Sequence, residues 1–276
     1  MLDEAAERAR RTYDAAADHY DHPGLAFWAR SGARTVERLE LAAGASVLDT
    51  PCGSGASALP AGRAVGPEGS VIGADISAGL LALAAEKAAR AGLTNVDFRA
   101  GDMRRLGYPD ASFDAVVCVF GIFFVPDMPA LAAELWRMVR PGGVFAVTTW
   151  GPDTFEPGSS AFWDAVGEVR PDLVRGFNPW DVVVMPDQLV ALLASAGIEH
   201  ASADAEDGSQ PMRGADDWWA MILGTGFRGT LDALTPVERA LVEERVRTRL
   251  AGEAGIHTPL VLGTARKPRL HPDRMM

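Results

Sequence analysis

Cysteine is nearly missing from this chain of 276 residues, which contains only Cys52 and Cys118. Two cysteines cannot build a zinc site or a framework of disulfides, so we expect no metal centre and two reduced, buried thiols. Long apolar runs are missing as well: no stretch reaches the roughly 18–20 residues that a membrane span needs. Residues 1–22 are charged and alanine-rich, unlike a secretory leader. These absences predict a cytoplasmic protein with no membrane span.

Positive charge is also scarce. The chain has 26 Lys and Arg against 37 Asp and Glu, which gives a formal net charge of −11. Nucleic acids and anionic membranes attract basic surfaces, so we expect neither as a partner. A small molecule is then the expected partner, and we expect the protein to be a monomer or homodimer.

Apolar segments and helix-forming segments alternate through the first half of the chain, which predicts an α/β fold with a doubly wound, mostly parallel sheet. Seven strands are expected: 46–50, Ser70–Asp75, Val96–Ala100, Phe113–Phe120, Val144–Trp150, Ile198–Ala203 and Thr258–Ala265. Helices are expected at 2–19 and 30–42, before the first strand. After Trp150 the sequence becomes richer in Pro, Gly and aromatic residues. We therefore divide the chain into an N-terminal helical lid (1–44), a core (45–150) and acceptor-binding insertions with the closing helix and strands of the same domain (151–276).

The most informative stretch is Val47–Gly55, with the sequence VLDTPCGSG. It predicts a strand, a tight turn and the start of a helix, and its two glycines allow a ligand to approach the backbone closely. Gly53 to Ala58 fits the dinucleotide pattern G-x-G-x-x-A, with Asp75 at the expected distance. Asp49 argues against a pyrophosphate there and favours a ligand with an ammonium or sulfonium group. Both ligands stay open at this point.

Five motifs taken together are more specific. VLDTPCGSG, the acid that ends GAD at Asp75, the triplet Gly101-Asp102-Met103, FDAVVCVFG and VRPGG resemble, in order and spacing, the signatures of class I S-adenosylmethionine-dependent methyltransferases. The helix that carries Tyr13-Asp14 and Tyr20-Asp21 is similar to the N-terminal lid of the ubiquinone/menaquinone-biosynthesis-type, small-molecule branch. The resemblance covers roughly residues 13–150. Pro51 departs from it, because the family most often has Gly there and Pro has no N–H to donate.

The resemblance implies a Rossmann-like sheet whose C-terminal strand ends, under a helical and aromatic lid, bind S-adenosyl-L-methionine. Asp49 would lie near the amino end of the methionine moiety, Asp75 would accept both ribose hydroxyls, and Asp102 would accept from the adenine amino group. Met103 would pack on the adenine ring and Phe120 beside the sulfonium, although such side chains more often pack in a core than contact a ligand. The full set of implied cofactor-binding residues is Tyr13, Tyr20, Asp49, Gly53, Ser54, Gly55, Asp75, Ile76, Gly101, Asp102, Met103, Val119 and Phe120.

Methyl transfer from a sulfonium requires alignment and exclusion of water more than covalent catalysis. A hydroxyl acceptor would also need a general base, for which His19 on the presumed lid is the preferred candidate. Aromatic residues outside the core helices could form the wall of an apolar acceptor cavity, or could simply pack against the sheet. These residues are Trp28, Phe123, Phe124, Trp150, Phe155, Phe177, Trp180, Trp218 and Trp219.

The sequence therefore predicts a methyltransferase that modifies an O, N or C atom of an apolar or aromatic small molecule, in natural-product or secondary metabolism. Two alternatives stay open: an NAD(P)-dependent oxidoreductase, and a non-catalytic protein that binds S-adenosylmethionine or S-adenosylhomocysteine.

Overall fold

Seven strands form one sheet in the order β3-β2-β1-β4-β5-β9-β6, in a computed structural model that describes residues 2–174 and 178–269. Strands β1 to β5 pair in parallel, and β9 runs antiparallel between β5 and β6. The strand bounds are β1 Ser46–Asp49, β2 Ser70–Asp75, β3 Val96–Ala100, β4 Phe113–Val119, β5 Val139–Trp150, β6 Ser202–Glu206 and β9 Leu260–Arg266. The predicted fold class is confirmed.

Ten α-helices are present in the described residues: α1 Glu4–Ala16, α2 Phe27–Glu37, α3 Ala58–Val65, α4 Ala78–Arg90, α5 Met128–Met138, α6 Gly158–Val169, α7 Pro186–Ser195, α8 Ala215–Leu223, α9 Arg228–Leu231 and α10 Pro236–Arg249. Helices α3 and α4 contact the β1–β3 half of the sheet, and α5 contacts β4 and β5. Within the described ranges, no helix is both long and apolar enough to cross a bilayer.

Burial explains why the central strands form where they do. Six of the seven residues of β4 are buried, as expected for a parallel strand covered on both faces. Ser77 is the N-cap of helix α4, and its side chain accepts a hydrogen bond from the backbone N–H of Leu80. The chain reverses after this helix at Gly92, which has a φ of 66°. These elements agree with the sequence prediction to within a residue or two.

Two predictions for the second half of the sheet need correction. The strand expected at Val144–Trp150 begins earlier, at Val139, and its pairing with β4 shifts from Phe113–Val139 to Ala115–Val144. The strand expected at Ile198–Ala203 begins only at Ser202, because the backbone still turns at His200, which has a φ of 61°. A small second sheet was not predicted: β7, Ser209–Pro211, pairs with β8, Gly255–His257. The short polar sequences of these two strands carry no periodicity.

The N-terminal helices lie against the sheet domain. Helix α1 packs against α4 and α9, and α2 packs against α3 and β4. The helix expected at 2–19 is shorter than predicted, and the one expected at 30–42 begins earlier, at Phe27. The division of the chain into a lid, a core and acceptor-binding insertions stays a prediction.

Candidate active site

A cavity lies at the C-terminal ends of the parallel strands and beneath α1. The strand order reverses between β1 and β4, and ligands of open α/β sheets bind at this kind of position. Each strand end contributes a different kind of residue to the cavity wall. Acids follow β2 and β3, the glycine turn follows β1, and aromatic residues follow β4 and β5. Since neighbouring strands are ~4.8 Å apart, the ends of β2 and β5 are separated by roughly 14 Å.

The turn after β1 brings the backbone to the cavity. Gly53 has a φ of 51° and Gly55 a φ of 84°, conformations that favour glycine. A Cβ on Gly53 would lie 3.5 Å from the hydroxyl of Tyr20, so Tyr20 covers this turn closely. Pro51 packs against the end of β4, because a Cβ on Gly121 would overlap its ring. This contact accounts for the proline, which follows a cis peptide bond after Thr50.

Asp75 lies at the end of β2 with its carboxylate in the cavity wall. The backbone N–H of Gly53 donates to Oδ2 and that of Ser77 donates to Oδ1, each at 2.8 Å. Burial raises the pKa of this carboxyl. Each carboxylate oxygen still has a free lone pair, so Asp75 can accept two further hydrogen bonds, as a ribose diol would require.

Asp102 follows β3 and is held by a cation that the sequence prediction missed. The guanidinium of Arg104 donates to Oδ1 at 3.0 Å and to Oδ2 at 2.8 Å. Burial raises the pKa of Asp102, but the hydrogen bonds from Arg104 outweigh it and hold the pKa below its ordinary value. Arg104 also forms an ion pair with Asp3, just before α1. It therefore connects the acidic end of the cavity to the N-terminal segment.

Asp49 does not line the cavity, although it ends β1. Its side chain turns inward and accepts a hydrogen bond from the hydroxyl of Ser57 at 2.7 Å. Burial raises the pKa of Asp49 to about 7. A direct contact with the amino end of a ligand is therefore not supported by this placement, and Ser57, which does line the cavity, lies between them. Gly55 likewise lies outside the wall.

The paired tyrosines and aspartates of the N-terminal segment have separate tasks. Tyr13 and Tyr20 line the cavity, with ring centroids 6.4 Å apart. Asp14 accepts from the hydroxyl of Ser77 at 2.7 Å and from the backbone N–H of Gly79 at 3.1 Å, at the N-terminus of α4. An anion at this position is favoured by the helix dipole. The tyrosines thus face the ligand space and Asp14 anchors the segment.

Asp21 anchors the other end of the N-terminal segment. It accepts from Lys87 Nζ at 2.8 Å and from the hydroxyl of Ser54 at 3.1 Å. Ser54 belongs to the glycine turn and lines the cavity, so this contact also fixes one of the predicted cofactor residues.

The part of the cavity wall next to β4 and β5 consists of stacked aromatic rings, and we call it the aromatic end. Phe120 stacks on Trp150 with centroids 3.8 Å apart, and Trp28 stacks on Tyr20 at 5.0 Å. Phe120 has a φ of 55°, an uncommon conformation for a bulky residue that the surrounding packing must hold in place. The remaining aromatic residues of the wall are Phe123, Phe124, Phe155 and Trp180.

Three of the predicted acceptor and catalytic residues lie elsewhere. Trp218 and Trp219 are buried in α8 and do not line the cavity; a Cβ on Gly158 of α6 would lie 2.8 Å from the ring of Trp218. His19 also lies outside the wall, with Nδ1 2.6 Å from the carboxylate of Asp18. This placement does not support His19 as a general base. Phe177 lies outside the described residues.

The other predicted cofactor residues are all in the cavity wall, namely Ile76, Gly101, Met103 and Val119, and their role in binding stays a prediction. Sequence reasoning missed several residues of the same wall, namely Ala6, Ala9, Thr50, Cys52, Ala56, Ser57, Leu80, Arg104, Val125, Thr225 and Gly226. Most belong to segments whose motif was recognised, and their neighbours in sequence could have indicated them. Thr225 and Gly226 lie between α8 and α9 and had no such signal.

The wall fits S-adenosylmethionine. Asp75 keeps free acceptor sites for a diol, the glycine turn exposes backbone, and no Lys or Arg lies on that turn to favour phosphates. Aromatic faces next to the turn suit a sulfonium cation.

Known proteins agree with this fit. A family model described as a methyltransferase domain matches residues 47–143. Nocamycin O-methyltransferase of Saccharothrix syringae is 35% identical over 196 residues, which cover 70% of this chain and 68% of that protein. Demethylmenaquinone methyltransferase of Shouchella clausii (strain KSM-K16) is 41% identical over 109 residues, covering 40% of this chain and 46% of its own length.

A solved structure supports the fold alone. Phosphoethanolamine N-methyltransferase 2 of Haemonchus contortus, in complex with S-adenosyl-L-methionine, superposes with a TM-score of 0.58 at 17% identity, covering 97% of this chain and 61% of that one. These relatives do not favour an oxidoreductase or a non-catalytic binding protein. Motifs, cavity and relatives agree, and the chain belongs to the class I S-adenosylmethionine-dependent methyltransferases.

Proposed function

We propose that this enzyme methylates a hydroxyl oxygen on an apolar, fused-ring natural product or quinone-like compound. The observation that carries the proposal is the division of the cavity: acids on β2 and β3, stacked aromatic rings on β4 and β5. An aromatic wall selects flat apolar acceptors through burial and ring stacking. The choice of oxygen is supported by the relative named as an O-methyltransferase.

The cofactor would span the cavity from the acids to the aromatic rings. Asp75 would accept from the ribose hydroxyls, Asp102 from the adenine amino group while Arg104 holds its carboxylate in place, and the turn at Gly53 would receive the methionine end. When bound, S-adenosylmethionine supplies an electrophilic methyl group on a sulfonium, and the pair of electrons of the broken C–S bond stays on sulfur. The residues of this chain orient the two reactants and exclude water.

The three segments of the chain would divide this work. Residues 1–44 would act as the lid, anchored by Asp14 and Asp21, and residues 151–276 would supply the acceptor side through Phe155, Trp180 and the segment at Thr225. The net charge of −11 supports a small-molecule acceptor rather than nucleic acid. We extend the proposal to a cytoplasmic enzyme that is a monomer or homodimer.

Release of S-adenosylhomocysteine tests this function. The purified enzyme is incubated with S-adenosylmethionine and a panel of hydroxylated quinones, simple phenols and aromatic amines, and the products are identified by mass spectrometry. We expect methyl ethers from the hydroxylated fused-ring compounds. Methylation of only the amines, or no turnover of any fused-ring hydroxyl compound, would contradict the proposal.

A further inference from the structure

Three residues of the cavity wall bury polar atoms that have no hydrogen-bond partner in the described part of the chain. These atoms are Trp28 Nε1, Thr50 Oγ1 and Thr225 Oγ1. All three residues are more than nine-tenths buried. A buried polar group without a partner is destabilising, so such groups in a binding cavity indicate hydrogen bonds that a ligand completes.

Two of the three belong to the aromatic end. Trp28 stacks on Tyr20 and lies 5.7 Å, between centroids, from both Phe120 and Trp150. Thr225 precedes Gly226, where a Cβ would lie 2.7 Å from the ring of Trp180. Thr50, in contrast, directly follows the first strand, at the start of the glycine turn. Trp28 and Thr225 are therefore placed to meet the acceptor.

The chemistry of these two groups restricts what they bind. An indole N–H only donates, and a threonine hydroxyl donates or accepts. The acceptor must therefore present an atom with a free lone pair, and the hydroxyl oxygen of the proposed function meets this requirement. Both groups are neutral, so they can stabilise negative charge on that oxygen without forming an ion pair.

No free base is available in the described part of the cavity wall. Its titratable residues are Tyr13, Tyr20, Cys52, Asp75, Asp102 and Arg104. The two carboxylates lie at the opposite end and already accept hydrogen bonds, and Arg104 cannot accept a proton. Burial raises the pKa of Tyr20 and of Cys52 well above their ordinary values, and raises that of Tyr13, so these groups stay protonated.

Histidines near the aromatic end face other groups. His22 lies in a neighbouring groove, where Nδ1 accepts from the backbone N–H of Gly24 at 3.1 Å and lies 3.9 Å from Asp217 Oδ1. His19 is paired with Asp18, which also meets Arg228. Neither histidine is in the wall of the main cavity.

We infer that the acceptor binds as an oxyanion of an acidic hydroxyl, such as an enol or hydroxyquinone, whose oxygen receives hydrogen bonds from Trp28 Nε1 and Thr225 Oγ1. The proton leaves to solvent before the acceptor binds, and one lone pair of the oxygen forms the new bond to the methyl carbon. This inference rests on the proposed function and specifies its acceptor class. It also accounts for a cavity wall whose described residues include no free base.

The test is absorbance spectroscopy of lawsone, a hydroxynaphthoquinone whose ionised and neutral forms absorb differently, titrated with enzyme that is saturated with S-adenosylhomocysteine. No turnover is involved. We expect the bound spectrum to be that of the anion, and the pKa of lawsone to be lower when bound than when free. The methyl ether of lawsone, which cannot ionise, should bind more weakly.

Two substitutions remove the proposed donors: Thr225→Val keeps the shape of the side chain, and Trp28→Phe keeps an aromatic ring. Trp28→Phe and Thr225→Val should each weaken lawsone binding by roughly tenfold or more, the loss expected for a hydrogen bond to a charged group, with a smaller effect on the methyl ether. Thr149→Val is the matched control, because Thr149 is buried and its hydroxyl has no partner among the described residues, but it does not line the cavity. Binding of S-adenosylhomocysteine reports that each variant is folded.

Bound lawsone with the neutral spectrum, no lawsone binding at any pH, or unchanged affinity in both variants would overturn the inference. Each of these results leaves the proposed function intact if fused-ring hydroxyl compounds are still methylated. Failure of the unmodified enzyme to bind S-adenosylhomocysteine would instead refute the proposed function itself.

Discussion

Phe120 and Trp150 stack face to face, with ring centroids 3.8 Å apart and an angle of 9° between the rings. Phe120 directly follows β4 and Trp150 ends the neighbouring parallel strand β5, whereas Asp75 ends β2, two strand positions away from β4. Under the proposed function, this pair would lie where the space for the cofactor meets the space for the acceptor.

Replacing one ring of this pair by a smaller ring should weaken the binding of the acceptor more than the binding of the cofactor. Trp150→Phe keeps an aromatic ring but reduces its stacking area, so we expect KM for a fused-ring acceptor to rise roughly three- to tenfold, consistent with the worth of an aromatic pair. The dissociation constant of S-adenosylhomocysteine should stay within about twofold of its value in the unmodified enzyme, since Phe keeps an aromatic ring next to Phe120. Steady-state kinetics and calorimetry measure the two quantities.

Trp163→Phe is the control for this substitution. Trp163 packs on Phe162 and Phe227 but does not line the cavity. An equal rise in KM in both variants would show that the effect comes from general packing and not from the acceptor wall.

Asp14 should hold the N-terminal segment closed. Asp14→Ala removes the acceptor for the Ser77 hydroxyl and the Gly79 N–H at the start of α4, so we expect a loss of about 1 kcal/mol of local stability. Hydrogen exchange of the α1 amides should become faster, and KM for S-adenosylmethionine should rise.

Glu4→Ala on the same helix is the comparison, because Glu4 is 93% exposed and lies 4.0 Å from Arg8. Exposed pairs of this kind contribute little. Unchanged exchange in Asp14→Ala, or equal acceleration in the two variants, would argue against anchoring by Asp14.

Asp49 should make the enzyme less stable as the pH rises. Burial raises its pKa in the folded protein to about 7 from an ordinary value of 3.8. Since the folded protein holds the proton more tightly, the stabilising contribution of the protonated group is complete below the unfolded pKa and is lost as the pH rises through about 7. The free energy of unfolding should therefore fall between these two pH values.

Asp49→Asn cannot ionise, and its side-chain oxygen can still accept from the Ser57 hydroxyl. Urea denaturation at several pH values should show a smaller decline for this variant than for the unmodified enzyme. The decline should not vanish, because burial also raises the pKa of Asp75. Asp164→Asn, an exposed position on α6, should leave the slope unchanged. Equal slopes in Asp49→Asn and the unmodified enzyme would contradict a buried, protonated Asp49.

The alternation of strands and helices was predictable because local patterns determine it. The apolar run of β4, the Ser77 cap and Gly92 each act over a few residues. The glycine turn and the acid that ends β2 were recognisable for the same reason. Where long-range packing decides, as in the interrupted pairing at the start of β5, the sequence alone could not show the outcome.

Side-chain direction was the harder part of the site. Asp49 and Asp75 end adjacent strands, yet one turns inward to Ser57 and the other faces the cavity. Arg104, two residues after the predicted Asp102, is visible in the sequence, but its ion pair with Asp3 depends on how the N-terminal segment folds back. Thr225 reaches the site only because the α8–α9 connection packs beside Trp180.

The central claim is that S-adenosylmethionine binds in this cavity through Asp75. Isothermal titration calorimetry with S-adenosylmethionine, on the unmodified enzyme and on Asp75→Asn, tests it most directly. Asn offers one oxygen where the carboxylate offers two, so we expect a single site in the unmodified enzyme and roughly tenfold to hundredfold weaker binding in Asp75→Asn. The exposed control Asp164→Asn should bind as the unmodified enzyme does. No heat of binding in the unmodified enzyme, or equal affinity in Asp75→Asn, would contradict the claim.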